Sequence, residues 1–290
     1  MRKPNAIPGG AAMPLDRMKN KANPGLTWVG GDRDADDLDD TSRKILAAGL
    51  SGTSIFDPVL CELVYRWFCP PGGLILDPFA GGSVRGIVAA KLGRRYVGIE
   101  LRAEQVAANI SQLHILADTD QAPVWIVGDS RNIAAHCGPD WPGADFFLSC
   151  PPYADLERYS DDPADLSTLH YAEFRETYTA IIAAACNLIK PDRFACVVVG
   201  DARDKSGFYY GFPWHTIAAF EQAGFRLYNE AVFVTCVGSL PIRVGKAFES
   251  SRKLGKTHQN VLIFCNGDPK KATSAIGKVE FAELDETNDR

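Results

Sequence analysis

The sequence predicts an α/β fold: a doubly wound, mostly parallel seven-stranded sheet that ends in an antiparallel hairpin. Three observations carry this expectation. Short apolar runs rich in Val, Ile and Phe alternate with amphipathic helical stretches, the pattern of a sheet with helices on both faces. The earlier runs are apolar at nearly every position, as buried parallel strands must be. The last two runs have no helix-length apolar pattern between them, so they are expected to pair with each other.

The 290-residue chain opens with a segment, 1–45, rich in Pro, Gly, Asn, Lys and Asp and without periodicity; it is expected to be disordered. The folded domain is expected over 46–268 and a flexible tail over 269–290. Strands are expected at "LILDPF" (74–79), "RYVGIE" (95–100), "VWIVGD" (124–129), "ADFFLSC" (144–150), "FACVVVGD" (194–201), "NEAVFVTCV" (229–237) and "NVLIFC" (260–265). Helices are expected at 83–92, 103–116, 171–190 and 216–225.

Composition narrows the function classes. With 46% hydrophobic and 23% charged residues the chain reads as ordinary globular protein. No apolar run is long enough for a membrane span, and the basic N-terminus lacks the apolar core of a signal peptide. The eight cysteines form no CxxC pair and several sit inside strand-like runs, so they read as reduced thiols of a cytoplasmic protein. The five histidines form no zinc pattern, and no metal is expected. A net charge of −5 averages over acidic termini and a basic stretch at 243–258, and does not exclude a local phosphate-binding surface.

Three strand ends carry chemistry, and in open α/β sheets ligands bind at the carboxyl ends of strands. In "LILDPFAGGSVRG", Asp77 ends a strand, and Gly81-Gly82 permit a tight turn with close ligand approach before a helix. The GxGxxG of a pyrophosphate-binding turn is absent. Glu100 ends the next strand about twenty residues on, where a carboxylate can accept from both ribose hydroxyls. Asp129, in "IVGDSRN", ends a third strand and could accept from an exocyclic amine; either it or Ser130 could equally cap a helix.

"DPFAGGS", an acidic strand end, "GDS" and a strand running into Cys150-Pro151-Pro152-Tyr153 together resemble the S-adenosylmethionine-dependent amino-methyltransferases of DNA, the N6-adenine/N4-cytosine type. "SIFDPVLCELVYRWF" (54–68) is similar to the cofactor segment that precedes the first strand in that family, and the likeness spans roughly residues 50 to 266. The Pro-Pro-Tyr context resembles orphan methylases of phages and prophages. The resemblance implies a Rossmann-like methyltransferase fold with S-adenosyl-L-methionine as cofactor. It sets Phe56, Asp57 and Pro58 against the methionine end, and Asp77, Phe79, Gly81 and Gly82 around the amino-acid moiety and sugar. Glu100 would hold the ribose, and Asp129 with Ser130 the adenine end. Cys150, Pro151, Pro152 and Tyr153 would form the catalytic loop.

Such chemistry explains a rigid proline loop. An aromatic amine is a poor nucleophile, and acceptors aimed at its N–H bonds direct its lone pair at the methyl group. Prolines hold backbone carbonyls still for that task, and Tyr153 is expected to stack on a base extruded from the duplex. The family carries Asp, Asn or Ser where this chain has Cys150, and a thiol is a weak acceptor. A nucleophilic Cys150 attacking a pyrimidine is the alternative, disfavoured because the cysteine precedes the proline in place of following it.

DNA is the expected partner. In "IRVGKAFESSRKLGKTHQ" (242–259), Arg243, Lys246, Arg252, Lys253 and Lys256 are expected to meet phosphates from a loop joining the last two strands. The Gly/aromatic stretch "GDARDKSGFYYGFPW" (200–214) is a second candidate for contacts with single strands or a flipped base. The length leaves no separate recognition domain, so specificity is expected to be short or modest, or to come from a homodimer or a partner. An RNA or protein N-methyltransferase, and a catalytically silent DNA-binding subunit, remain open alternatives, as does a companion nuclease of a restriction-modification pair.

Overall fold

The computed structural model describes residues 55–117, 119, 121–153, 159–235 and 240–279, apart from the side chains of 242 and 243. The segment 1–45 lies outside the described residues.

Seven strands make one sheet: β1 (Leu74–Asp77), β2 (Arg95–Glu100), β3 (Val124–Val127), β4 (Ala144–Ser149), β5 (Ile189–Val199), β6 (Arg226–Val234) and β7 (His258–Asn266). Their order is β3-β2-β1-β4-β5-β7-β6. The first five are parallel, and β7 runs antiparallel to both β5 and β6, as expected. Parallel pairing puts the carboxyl ends of β1 to β5 on one edge. Val199 pairs with Asn260 and Val234 with His258, so the start of β7 and the end of β6 join that same edge.

Helices α1 (Pro58–Phe68), α2 (Val84–Lys91), α3 (Ala103–Ser111), α4 (Ile133–Cys137), α5 (Tyr171–Cys186) and α6 (Phe212–Gln222) cover the sheet. Every residue of β1 and β4 is buried. Alternation divides β4 between two cores: Phe147 packs with Tyr178, Phe220 and Phe264 on one face, while Phe146 and Leu148 pack with Tyr65, Tyr96 and Ile263 on the other. Local signals set the helix starts. Asp57 caps α1 by accepting from the Leu60 amide at 2.7 Å, with Pro58 in the first turn, where its missing N–H costs nothing.

Two expectations fail here. Segment 242–259 is not a plain loop between strands, because α7 (Leu240–Ser251) occupies most of it. Among its described side chains, the half-buried Leu240, Val244 and Ala247 recur at helical spacing but make only a thin stripe, with Gly245 on the exposed side. Nor does the tail begin at 269. Helix α8 (Pro269–Ile276), capped by Asp268 accepting from the Lys270 amide, buries Ala272 and Ile276 against β5, β7 and α1.

Among the described residues, no helix is long and apolar enough to cross a membrane, and no group of His, Cys, Asp and Glu could hold a metal ion. The seven described cysteines are free thiols.

Candidate active site

The turn after β1 is built around a fully buried carboxylate. Asp77 Oδ1 accepts from the Phe79 amide at 3.0 Å and from Ser149 Oγ at 2.6 Å. Its Oδ2 accepts from Arg85 Nε at 2.6 Å and Tyr96 OH at 2.8 Å. Arg85 also donates to the carbonyls of Phe79 and Ala80, so one buried guanidinium ties the strand end to the turn. Burial works against the Arg85 charge, but the charge and hydrogen bond of Asp77, with Tyr96 and Cys150 nearby, together outweigh it and the guanidinium stays ionised. Phe56 lies 4.9 Å over this guanidinium.

The turn's backbone is held from several sides. Gly81 takes φ +50°, a conformation that favours glycine, and its N–H donates to Glu100 Oε2 at 2.9 Å. Asn109 of α3 donates to the Gly81 carbonyl at 2.7 Å, and Ser130 donates to the Pro78 carbonyl. Gly98 on β2 allows this approach: a Cβ there would sit 2.7 Å from Ala80 Cβ and from Tyr96 OH.

In front of the turn there is room. Side-chain carbons built on Gly81 and Gly82 would meet no atom within 4 Å. Glu100 closes one side, its Oε1 accepting from the Arg102 amide at 3.0 Å, and burial pushes its carboxyl above the ordinary value. Each carboxylate oxygen accepts one backbone N–H, and Oε1 also lies 3.5 Å from Arg102 Nε, which leaves lone pairs for a vicinal diol. Asp129 is more occupied. It caps the turn at Ser130–Asn132 and accepts from Arg131 Nε at 2.7 Å; burial opposes its charge, yet the Arg131 hydrogen bonds hold its carboxyl below the usual range.

The proline loop sits beside this turn. Ser149, the last residue of β4, is fully buried, and its hydroxyl is spent on Asp77. Its oxygen keeps acceptor lone pairs, but it is sealed from solvent on the Asp77 side of the loop and is not placed to meet an incoming amine. Cys150 and Pro152 are half-buried and Pro151 is buried. Cys150 Sγ lies 3.8 Å from Tyr153 OH.

Tyr153 departs from expectation. Its ring is 6% exposed and packs edge-on against Phe212 at 5.9 Å, within the core that includes Leu166 and Phe174. Gln259, at the start of β7, donates to its hydroxyl at 2.6 Å. Burial, then the neighbouring Cys150, push its phenol well above the ordinary value. In this arrangement the ring presents no open face to a base, and its contacts hold the loop in place.

Of the other expected residues, Pro58 is exposed at the start of α1, and Phe79 stacks on Tyr178 at 5.9 Å. Lys246 lies exposed on α7, and Arg252 follows the helix, its guanidinium 5.0 Å over Phe248. Lys253 and Lys256 reach the 200–211 loop: Lys256 Nζ is 5.8 Å from the centre of the Tyr209 ring. Arg243 falls on α7, with its side chain outside the described residues. Sequence reasoning missed Arg85, Tyr96, Asn109 and Gln259. An arginine among the small residues of "GGSVRGIVAA" was a usable signal; Gln259, 106 residues from Tyr153, gave none.

Residues 57–111 match the N6/N4 DNA methylase family, a stretch that runs from α1 through the glycine turn and Glu100 to the end of α3. Within the chain, 45 residues are 40% identical to the DNA adenine methyltransferase YhdJ of Escherichia coli (strain K12), 16% of this chain and 15% of that protein. Solved structures include TrmN from Thermus thermophilus, at 17% identity and TM-score 0.48, over 78% of this chain and 53% of that one. Magnesium protoporphyrin IX methyltransferase (ChlM) from Synechocystis PCC 6803 with bound SAM gives 14% identity and TM-score 0.48, over 82% and 87%. The sequence likeness to DNA amino-methyltransferases thus falls on the turn whose geometry is described above.

Proposed function

We propose that the chain is an S-adenosylmethionine-dependent methyltransferase acting on the exocyclic amino nitrogen of adenine or cytosine in DNA. One observation carries the reading: the Ser149–Asp77 hydrogen bond of 2.6 Å fixes the proline loop directly against the glycine turn. A single small molecule at the turn therefore reaches the loop. The match of residues 57–111 to DNA methylases supports the same assignment.

The cofactor, when bound, supplies an electrophilic methyl carbon on sulfur. The residues present suit it: open space before Gly81 and Gly82, and Glu100 with acceptors for ribose hydroxyls. The backbone carbonyls of Cys150 and Pro151 accept from the amine's N–H bonds and orient its lone pair, and the two prolines keep them in register. Tyr153 is a positioning residue, pinned by Phe212 and Gln259.

Single-molecule sequencing of DNA from cells expressing the protein tests this. Modified adenine or cytosine in a short sequence context is expected, and loss of the signal in Glu100→Ala. Tritium transfer into RNA or protein with unmodified DNA would overturn the assignment. The thiol at 150 and the covered Tyr153 ring favour one second reading, a silent subunit that binds DNA. Cofactor binding without turnover on any host DNA would select it.

A further inference from the structure

The loop after β5 is more ordered than a connection needs to be. Asp201 Oδ1 accepts from the amides of Ala202, Gly211 and Phe212, clasping both ends of the excursion with one buried carboxylate. Between them the chain folds on itself. Tyr210 N donates to Ala202 O at 2.9 Å, Asp204 N to Phe208 O at 2.8 Å, and Arg203 to Gly207 O at 2.7 Å, with Arg203 and Tyr209 bridged as in a small antiparallel hairpin. The Asp204 carboxylate turns inward to the Phe208 amide.

This rigid hairpin leaves its largest apolar side chain in water. Phe208 at the tip is 74% exposed, Tyr209 beside it 43%, and Trp214 just beyond 69%. Cations line one side of the hairpin: Arg203 stacks 3.8 Å over Tyr209, Lys256 approaches the same ring, and the Lys253 stem runs past Gly207. Exposed rings on a fixed backbone, rimmed by positive charge, match a polymer of flat bases and phosphates. The base of the hairpin adjoins the catalytic loop, since Phe212 packs on Tyr153.

We propose that hairpin 202–210 is a wedge for nucleic acid, with Phe208 entering the base stack where the target nucleotide leaves it, and Arg203, Lys253 and Lys256 holding the flanking phosphates. It gives the site the stacking surface that the covered Tyr153 cannot offer. The inference rests on the nucleic-acid reading above. Extruding a base leaves a gap, and an aromatic ring that fills it offsets the lost stacking.

The test compares the full chain with Phe208→Ala and Phe208→Trp by fluorescence anisotropy. Three labelled probes are used: a paired duplex, the same duplex with one abasic site, and a single strand. The parent protein should prefer the abasic duplex. Phe208→Ala should lose about 5- to 150-fold on that probe, the range for removing one base–aromatic stack, and Phe208→Trp should restore it. Cofactor affinity by calorimetry should match the parent in both variants, which establishes that they are folded. Equal binding by parent and Phe208→Ala would overturn the wedge while leaving the nucleic-acid reading intact. A parent protein that binds none of the probes would overturn both. Unchanged DNA binding with altered self-association in Phe208→Ala would make the tip a protein contact and also defeat the proposal.

Discussion

Asp77 and Asp129 occupy equivalent places, each an aspartate just beyond or at the end of a parallel strand on the same sheet edge, yet the fold uses them in opposite ways. Asp77 is fully buried and takes donors from four places in the chain: Phe79, Arg85, Tyr96 and Ser149. Asp129 is partly exposed and is served by one neighbour two residues away, through the Arg131 backbone and guanidinium. The first carboxylate joins β1, β2, α2 and β4 into one unit, so it stabilises geometry at a distance. The second organises a local turn. An acidic residue at a strand end is thus no guarantee of ligand contact; what surrounds it decides whether it faces the ligand or frames the site.

The contrast can be broken most severely at Asp77. Asp77→Ala leaves the Arg85 guanidinium buried without its counter-ion, and should cost about 3–5 kcal/mol in urea denaturation. Adding Arg85→Met should recover much of that loss, because the cost lies in the orphaned charge. Ser149→Ala is milder, about 1 kcal/mol of stability, since Asp77 keeps three other donors. It should lower methyl-transfer turnover more than cofactor affinity, because it loosens the loop against the turn. Asp129→Ala should cost the least, about 0.5–1 kcal/mol, as loss of a cap. The Asp129 carboxyl is held below its usual value, so its contribution is complete above about pH 4 and fades as the pH falls further. Arg131→Ala sharpens the contrast from the other side: if Asp129 can accept from an exocyclic amine, freeing it should tighten cofactor binding in a calorimetric titration.

Much of this architecture is legible in the sequence because its signals are local. Strands are apolar runs, and the turn at 77–82 announces itself with glycines. What escaped reading was long-range or faint. Helix α7 buries too thin a stripe to register, and α8 looks polar over "PKKATSAI" although its Asp268-Pro269 start is a usable cap signal. The Asp77 network joins residues up to 72 positions apart, so no window contains it. The burial of Tyr153 was hidden for the same reason. Its local setting, a proline loop at a strand tip, says nothing of Phe212 and Gln259, which arrive from distant segments to cover it.

Helix α8 carries a practical lesson for anyone shortening this chain. Its two buried side chains, Ala272 and Ile276, seal the sheet's back beside Cys265 and Ile263. A truncation at residue 268 would strip that seal and bare a greasy strip of strand to solvent. Expression clones trimmed there should clump more readily than those that keep the helix.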